Sequence, residues 1–241
     1  MYINEDLCIG CRSCVPYCPV GAIQVEEPDR VYIDQELCAE CGTCLRMARC
    51  PSDAIVEPSE VYQEPRSVRK FFSDPMATHK ETLLPGRGTE EVKTNDVTAR
   101  VKRGQIGIAI EMGRPVLGTT MAEVEKVIKR LAALGIRLEK NNPLSYLIDD
   151  PETGTLKPWV NKERVISCIV EFSAPAERLR ELLTAIRELA EEVDTVFSLD
   201  LITRFDEDGN IPVIPVLEEM GIHYRPNAKI NLGLGRPLRE E

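Results

Sequence analysis

The chain has 241 residues, 43% of them hydrophobic, which is long for one domain, comfortable for two, and apolar enough for ordinary buried cores. Its 40 acidic against 30 basic side chains give a formal charge of −10, which argues against a nucleic-acid partner bound by phosphate neutralisation and suits cationic protein surfaces better. No basic region followed by an apolar stretch opens the sequence, and no apolar run is long enough for a bilayer, so a soluble, unexported protein with no membrane partner is expected.

Eight of the nine cysteines fall in the first fifty residues in tight groups. That spacing serves a metal better than disulfide crosslinks and points to a reducing, cytoplasmic location. The groups belong to a repeat. Residues 1–23 recur at 31–55, with Tyr2 and Ile3 matching Tyr32 and Ile33, and Cys8, Cys11 and Cys14 matching Cys38, Cys41 and Cys44. In each copy a short apolar strand leads into Cys-x-x-Cys-x-x-Cys, and a more distant Cys-Pro, at Cys18 and Cys50, opens the next segment. Three thiolates two residues apart wrap one face of an iron–sulfur cubane, and a fourth must come from elsewhere. Cys-Pro suits that role because proline fixes the chain direction and removes an amide that would otherwise need a partner. Zinc also takes Cys-x-x-Cys pairs, but three cysteines at this spacing plus Cys-Pro, twice over, is not its habit.

Over residues 1–57 the sequence resembles the bacterial two-cluster ferredoxin family, in which the fourth cysteine of each run serves the other cluster. The resemblance implies two 4Fe-4S clusters, one held by Cys8, Cys11, Cys14 and Cys50, the other by Cys38, Cys41, Cys44 and Cys18. One feature departs from the family pattern. Three residues separate Cys14 from Cys18, but five, Leu45 to Arg49, separate Cys44 from Cys50. The enlarged loop carries Arg46 and Arg49, either as part of a docking surface that raises the local potential or as a solvated loop.

Residues 58–104, rich in proline and charge, read as a long extended connection, which Phe71 and Phe72 should hold against a surface because exposed paired aromatics gain nothing. Strand-like alternation runs from Gln105 to Met112, ended by Gly113-Arg114-Pro115. Thr120 with Glu123 forms a capping box for a helix whose apolar stripe runs from Met121 to Leu134 and stops at Gly135. Residues 136–138 and 144–148 look extended, and 165–172 reads as a further strand. A helix follows with a stripe from Leu179 to Val193, then a strand over 195–205. Strand, helix, strand, strand, helix, strand over 105–205 predicts an α+β fold, a ferredoxin-like βαββαβ sandwich with both helices on one face. The other face, to which Val165, Ile169, Val196 and Ile202 are assigned, should be covered by the connection, by a C-terminal extension 206–241 packing on the sandwich, by a second copy in a homo-oligomer or by a partner.

Weaker signals remain. Arg114 and Arg236 each lie in Gly-Arg-Pro after a similar apolar segment, a possible anion site or two strand-ending turns. The glycines from Gly113 onward lack the lysine of a phosphate loop. Cys168 reads as a small core residue, His79 and His223 as surface or packing residues, and no catalytic constellation is apparent. The expected function is iron–sulfur electron transfer by the small subunit or dedicated donor of a larger anaerobic oxidoreductase. The alternatives are a reductase subunit with its own substrate site, for example for reductive sulfur incorporation, as in methanogen-type proteins of loosely similar layout, and a redox or ligand sensor.

Overall fold

The structure is a computed structural model that describes residues 1–26, 29–86, 100–114 and 118–225. In the N-terminal part the repeat folds as two interlocked copies. Copy one opens with β1 (Tyr2–Ile3) and closes with β2 (Ile23–Glu26). Copy two opens with β3 (Arg30–Ile33), continues through α1 (Thr43–Met47) and closes with β4 (Ile55–Val56). The opening strand of each copy pairs antiparallel with the closing strand of the other, Ile3 opposite Ile55 and Ile33 opposite Ile23. Matching backbone bonds tie the copies together, Asn4 N–H to Ala54 O and Asp34 N–H to Ala22 O, both at 2.8 Å. Met1, Ile3, Ile23, Val31, Ile33 and Ile55 fill one small core between them.

The 58–104 segment is not extended throughout. Its residues 59–62 form a 3-10 turn and Arg66–Ser73 form α2, which starts directly after Pro65. Proline's fixed φ favours a helix start, and the helix ends where Asp74 turns extended. α2 buries Val68 in the core of the following domain, and Phe72 packs against that core. His79 packs between the rings of Phe71, at 5.7 Å, and Phe72, at 5.2 Å, so both phenylalanines and this histidine are packing residues.

The second module contains β5 (Gln105–Met112), β6 (Thr119–Thr120), α3 (Met121–Ala133), β7 (Ile148–Asp150), β8 (Thr155–Leu156), β9 (Arg164–Val165), β10 (Cys168–Pro175), α4 (Leu179–Glu192), β11 (Phe197–Thr203) and α5 (Ile214–Glu219). β5 lies at the centre of an antiparallel three-stranded sheet, order β10–β5–β11, with Ile110 opposite Val170 and Leu199. The two-residue period sends Ile106, Ile108, Ile110 and Met112 to one face with Val170 and Phe172. Leu131 of α3 and Leu182 of α4 join them, each fully buried and worth about 1.5–3 kcal/mol by transfer from water. The Thr120 hydroxyl caps α3 by accepting from Glu123 N–H. The Glu123 carboxylate instead accepts from Asp194 N–H and ties the helix to the start of the last strand.

Two expectations need correction. Residues 136–138 form no strand, and 143–147 form a 3-10 turn. Asn142 caps that turn and donates its amide to Ile169 O, while Glu139 N–H to Glu171 O is the backbone bond that holds this segment beside β10. The strand expected over 165–172 breaks after Val165, which belongs to the main core, and Val196 is exposed. Ile169 and Ile202 do lie on the opposite sheet face, with Ala109. That face is covered in part: Ala109, Glu111, Ile169 and Glu171 are buried within the single chain, while along β11 Ser198 is exposed and Asp200 and Ile202 are half-buried. Val213 and Leu217, flanking and within α5, complete the main core.

Candidate metal centre

The interlocking of the copies decides which thiols meet. Cys8 follows β1, and β1 pairs with β4, which follows Cys50. Cys38 follows β3, and β3 pairs with β2, which follows Cys18. The closing cysteine of each copy is thereby carried to the opening triplet of the other. Two cavities result. One is lined by Cys8, Cys11, Cys14 and Cys50, the other by Cys18, Cys38, Cys41 and Cys44. They are alike in size, about 320 and 290 Å³ with their mouths included.

The two residues added before Cys50 are absorbed locally. Where copy one makes a 3-10 turn at Val15–Tyr17, copy two makes the longer α1, which leaves Leu45, Arg46 and Met47 exposed and Cys50 in its cavity. The backbone treats the two closing cysteines alike: Ala22 N–H donates to Cys18 Sγ at 3.0 Å and Ala54 N–H to Cys50 Sγ at 3.3 Å. At Cys50 such a bond favours thiolate over thiol.

Burial separates the cavities. Burial pushes the Cys44 thiol up to about 12 and raises Cys38 and Cys14 as well. Cys11 is exposed and lowered by hydrogen bonds from Ser13. At Cys50 the upward push of burial is outweighed by backbone N–H bonds from Ser52 and Ala54, and its thiol lies below the ordinary range. Buried thiols of this kind give up their protons when a metal group takes their place, which couples loading to folding. Each of the two cavities is lined by four thiols. Zinc needs its ligands within about 2.3 Å of one centre, whereas a cubane takes one thiolate at each of four irons and needs them spread around a cavity. The residues present therefore fit an iron–sulfur cluster.

Charged residues that sequence reasoning missed surround the second cavity. Arg69, 3% exposed, donates through Nη1 to the carbonyls of Gln35, Glu36 and Cys38 at 2.8–3.0 Å and through Nε to Glu163 at 2.5 Å. Arg66 donates to Gln35 O and to the Glu40 carboxylate, both at 2.7 Å. Lys70, itself buried, pairs with Glu57 and with Asp74, and Arg46 joins Asp74 to Cys41 O. Removing one member of a buried pair such as Arg69–Glu163 costs about 3–5 kcal/mol. The one legible signal was the i,i+3 spacing of Arg66 and Arg69, which puts both on one helix face. Their partners lie up to 94 residues away and leave no local trace.

Two further candidates remain. Arg114 is exposed at the end of β5 and Arg236 lies outside the described residues, so the anion site gains no support. Cys168 is fully buried in the main core with its thiol pushed up by burial, a core residue as its strand position suggests. No helix among the described residues is long and apolar enough to cross a membrane.

Fold and site define a mixed helix-and-strand chain with an iron–sulfur binding segment at its N-terminal end. The 4Fe-4S binding domain family matches residues 1–24, which include Cys8, Cys11, Cys14 and Cys18. The match supports an iron–sulfur electron-transfer role. No curated protein and no solved structure matches the chain, and no family model matches the C-terminal module.

Proposed function

We propose that the chain is a two-cluster electron-transfer protein, the small subunit or dedicated donor of a larger anaerobic oxidoreductase. Cys8, Cys11, Cys14 and Cys50 hold one 4Fe-4S cluster, and Cys18, Cys38, Cys41 and Cys44 hold the other. When bound, such clusters accept and release single electrons without moving atoms. The observation that carries the reading is the pair of four-thiol cavities created by the crossed pairing of the repeats. The chain's own residues do the rest. Peptide N–H groups of Ala22 and Ala54 bond the closing sulfurs, and Arg69 of α2 ties the Cys38 loop to Glu163 of the second module.

The first cavity faces outward. Cys11 is exposed, Ile9 beside it is 66% exposed, and Leu7 is nearly half exposed, a contact surface where a redox partner reaches the cluster edge. The second module, read as a ferredoxin-like sandwich whose second strand is reduced to an irregular edge, serves as the dock for the larger subunit. Docking through its helix-free face is not part of the proposal, because the β5 and β10 positions of that face are already buried. Anoxic purification of the natural complex is the test. A large subunit in one-to-one ratio, and no turnover by the isolated chain, is the expected result. Substrate turnover by the chain alone would contradict it.

A further inference from the structure

The two cavities are built from the same repeat, yet their charged surroundings differ. The carbonyl of Cys38 accepts from Arg69 Nη1 at 2.8 Å, and that of Cys41 accepts from Arg46 Nη2 at 2.6 Å. Cys8 and Cys11 are the matching positions in copy one; no described cationic side chain is bonded to either carbonyl, and the cation there, Arg12, lines the first cavity itself. The Arg69 guanidinium is deeply buried, its side chain 4% exposed, and is clamped by a Glu163 carboxylate that is 7% exposed and belongs to the second module. Glu163 is fixed in turn, its carbonyl accepting from Met121 N–H at the first residue of α3. A buried ion pair is a weak device for stability, since desolvation offsets most of its attraction. Its position against a ligand-bearing loop suggests an electrostatic task.

We propose that Arg69, held in place by Glu163, is a positioning residue. It raises the reduction potential of the cluster held by Cys18, Cys38, Cys41 and Cys44. The inference rests on the two-cluster reading above. Reduction adds one negative charge, and a cation hydrogen-bonded to the backbone of a ligand in a low-dielectric setting favours it. Glu163 opposes the effect but touches the guanidinium at Nε while Cys38 O meets Nη1, so the positive charge is the nearer to the ligand loop; buried Glu40 also opposes it and is itself paired with the N-terminal ammonium and Arg66. The potential of that cluster is thus set in part by a residue pair that spans both modules.

The test uses the full chain, purified without oxygen, and a redox titration followed by electron paramagnetic resonance. The second-cavity cluster is identified as the one whose signal changes in Cys41→Ser. Arg69→Gln removes the cation and leaves the anion, so its potential moves negative. Glu163→Gln removes the anion and leaves the cation, so it moves positive. The first-cavity cluster keeps its potential in both, and Arg69→Lys lies between Arg69→Gln and the parent. Opposite signs are what a merely structural role cannot produce, because both substitutions loosen the same junction. Should Arg69→Gln fail to hold iron, Glu163→Gln and Arg69→Lys still carry opposite expectations. Two intact clusters whose potentials move in the same direction, move equally or do not move would overturn this inference alone. A parent chain with a single cluster would overturn the two-cluster reading and this inference with it.

Discussion

Cys50→Ala is the substitution with the sharpest consequence. Cys50 lines the cavity of Cys8, Cys11 and Cys14, held there by the pairing of β4 with β1 and by the Ala54 N–H aimed at its sulfur. Loss of one of four thiolates strands one iron of four, so the iron content of the anoxically purified chain should fall from about eight to about seven. The altered cluster should show a three-iron signature by electron paramagnetic resonance and should be the more oxygen-labile, because its mouth at Cys11 is exposed. Combination with Cys41→Ala makes the assignment quantitative. If the two cysteines serve different cavities the effects add, leaving two three-iron groups and about six irons. If they serve the same cluster, that cluster collapses and about four irons remain in one native group. About four irons in the double variant would refute the crossover.

Other outcomes follow from particular contacts. Gly10, between Cys8 and Cys11, has φ +68°, and a Cβ there would stand 2.7 Å from Asp29 O. Gly10→Ala should therefore cost about 1–2 kcal/mol in backbone strain alone and lower iron occupancy at the first cavity only, checked by iron content and resonance signal. His79 is buried with its pKa held below the ordinary 6.5 by desolvation. The unfolded chain thus binds the extra proton first, and stability should be complete above about 6.5 and lost as pH falls toward the folded value. His79→Leu should flatten that part of a melting-temperature profile, and an unchanged slope would contradict the assignment. Leu131, fully buried in the sandwich, should cost about 2–5 kcal/mol on replacement by Ala, read by denaturant unfolding of the single tryptophan, Trp159, with iron content unchanged.

The parts of the fold that were legible rest on local signals. The cysteine repeat announced both opening triplets and both closing cysteines. The stripes from Met121 to Leu134 and from Leu179 to Val193 announced the helices Met121–Ala133 and Leu179–Glu192, and Thr120 the cap of the first. α2 was not legible, because its stability comes from tertiary partners rather than periodicity. Arg69 and Lys70 are buried only because Glu163, Glu57, Asp74 and three carbonyls await them. A run of proline and charge reads as a connection until those partners are known. The missing strand at 136–138 has a similar cause. Asn142 and Pro143 turn the chain into a 3-10 segment, so the ladder beside β10 cannot extend, although local propensity favours it.

The account stands on the presence of two clusters in the N-terminal module. Spin quantitation of the fully reduced, anoxically purified chain tests it most directly. Two clusters in neighbouring cavities of one small core should give about two unpaired spins per chain, with a signal broadened by their mutual coupling. About one spin per chain, with a simple uncoupled signal and four irons, would contradict it.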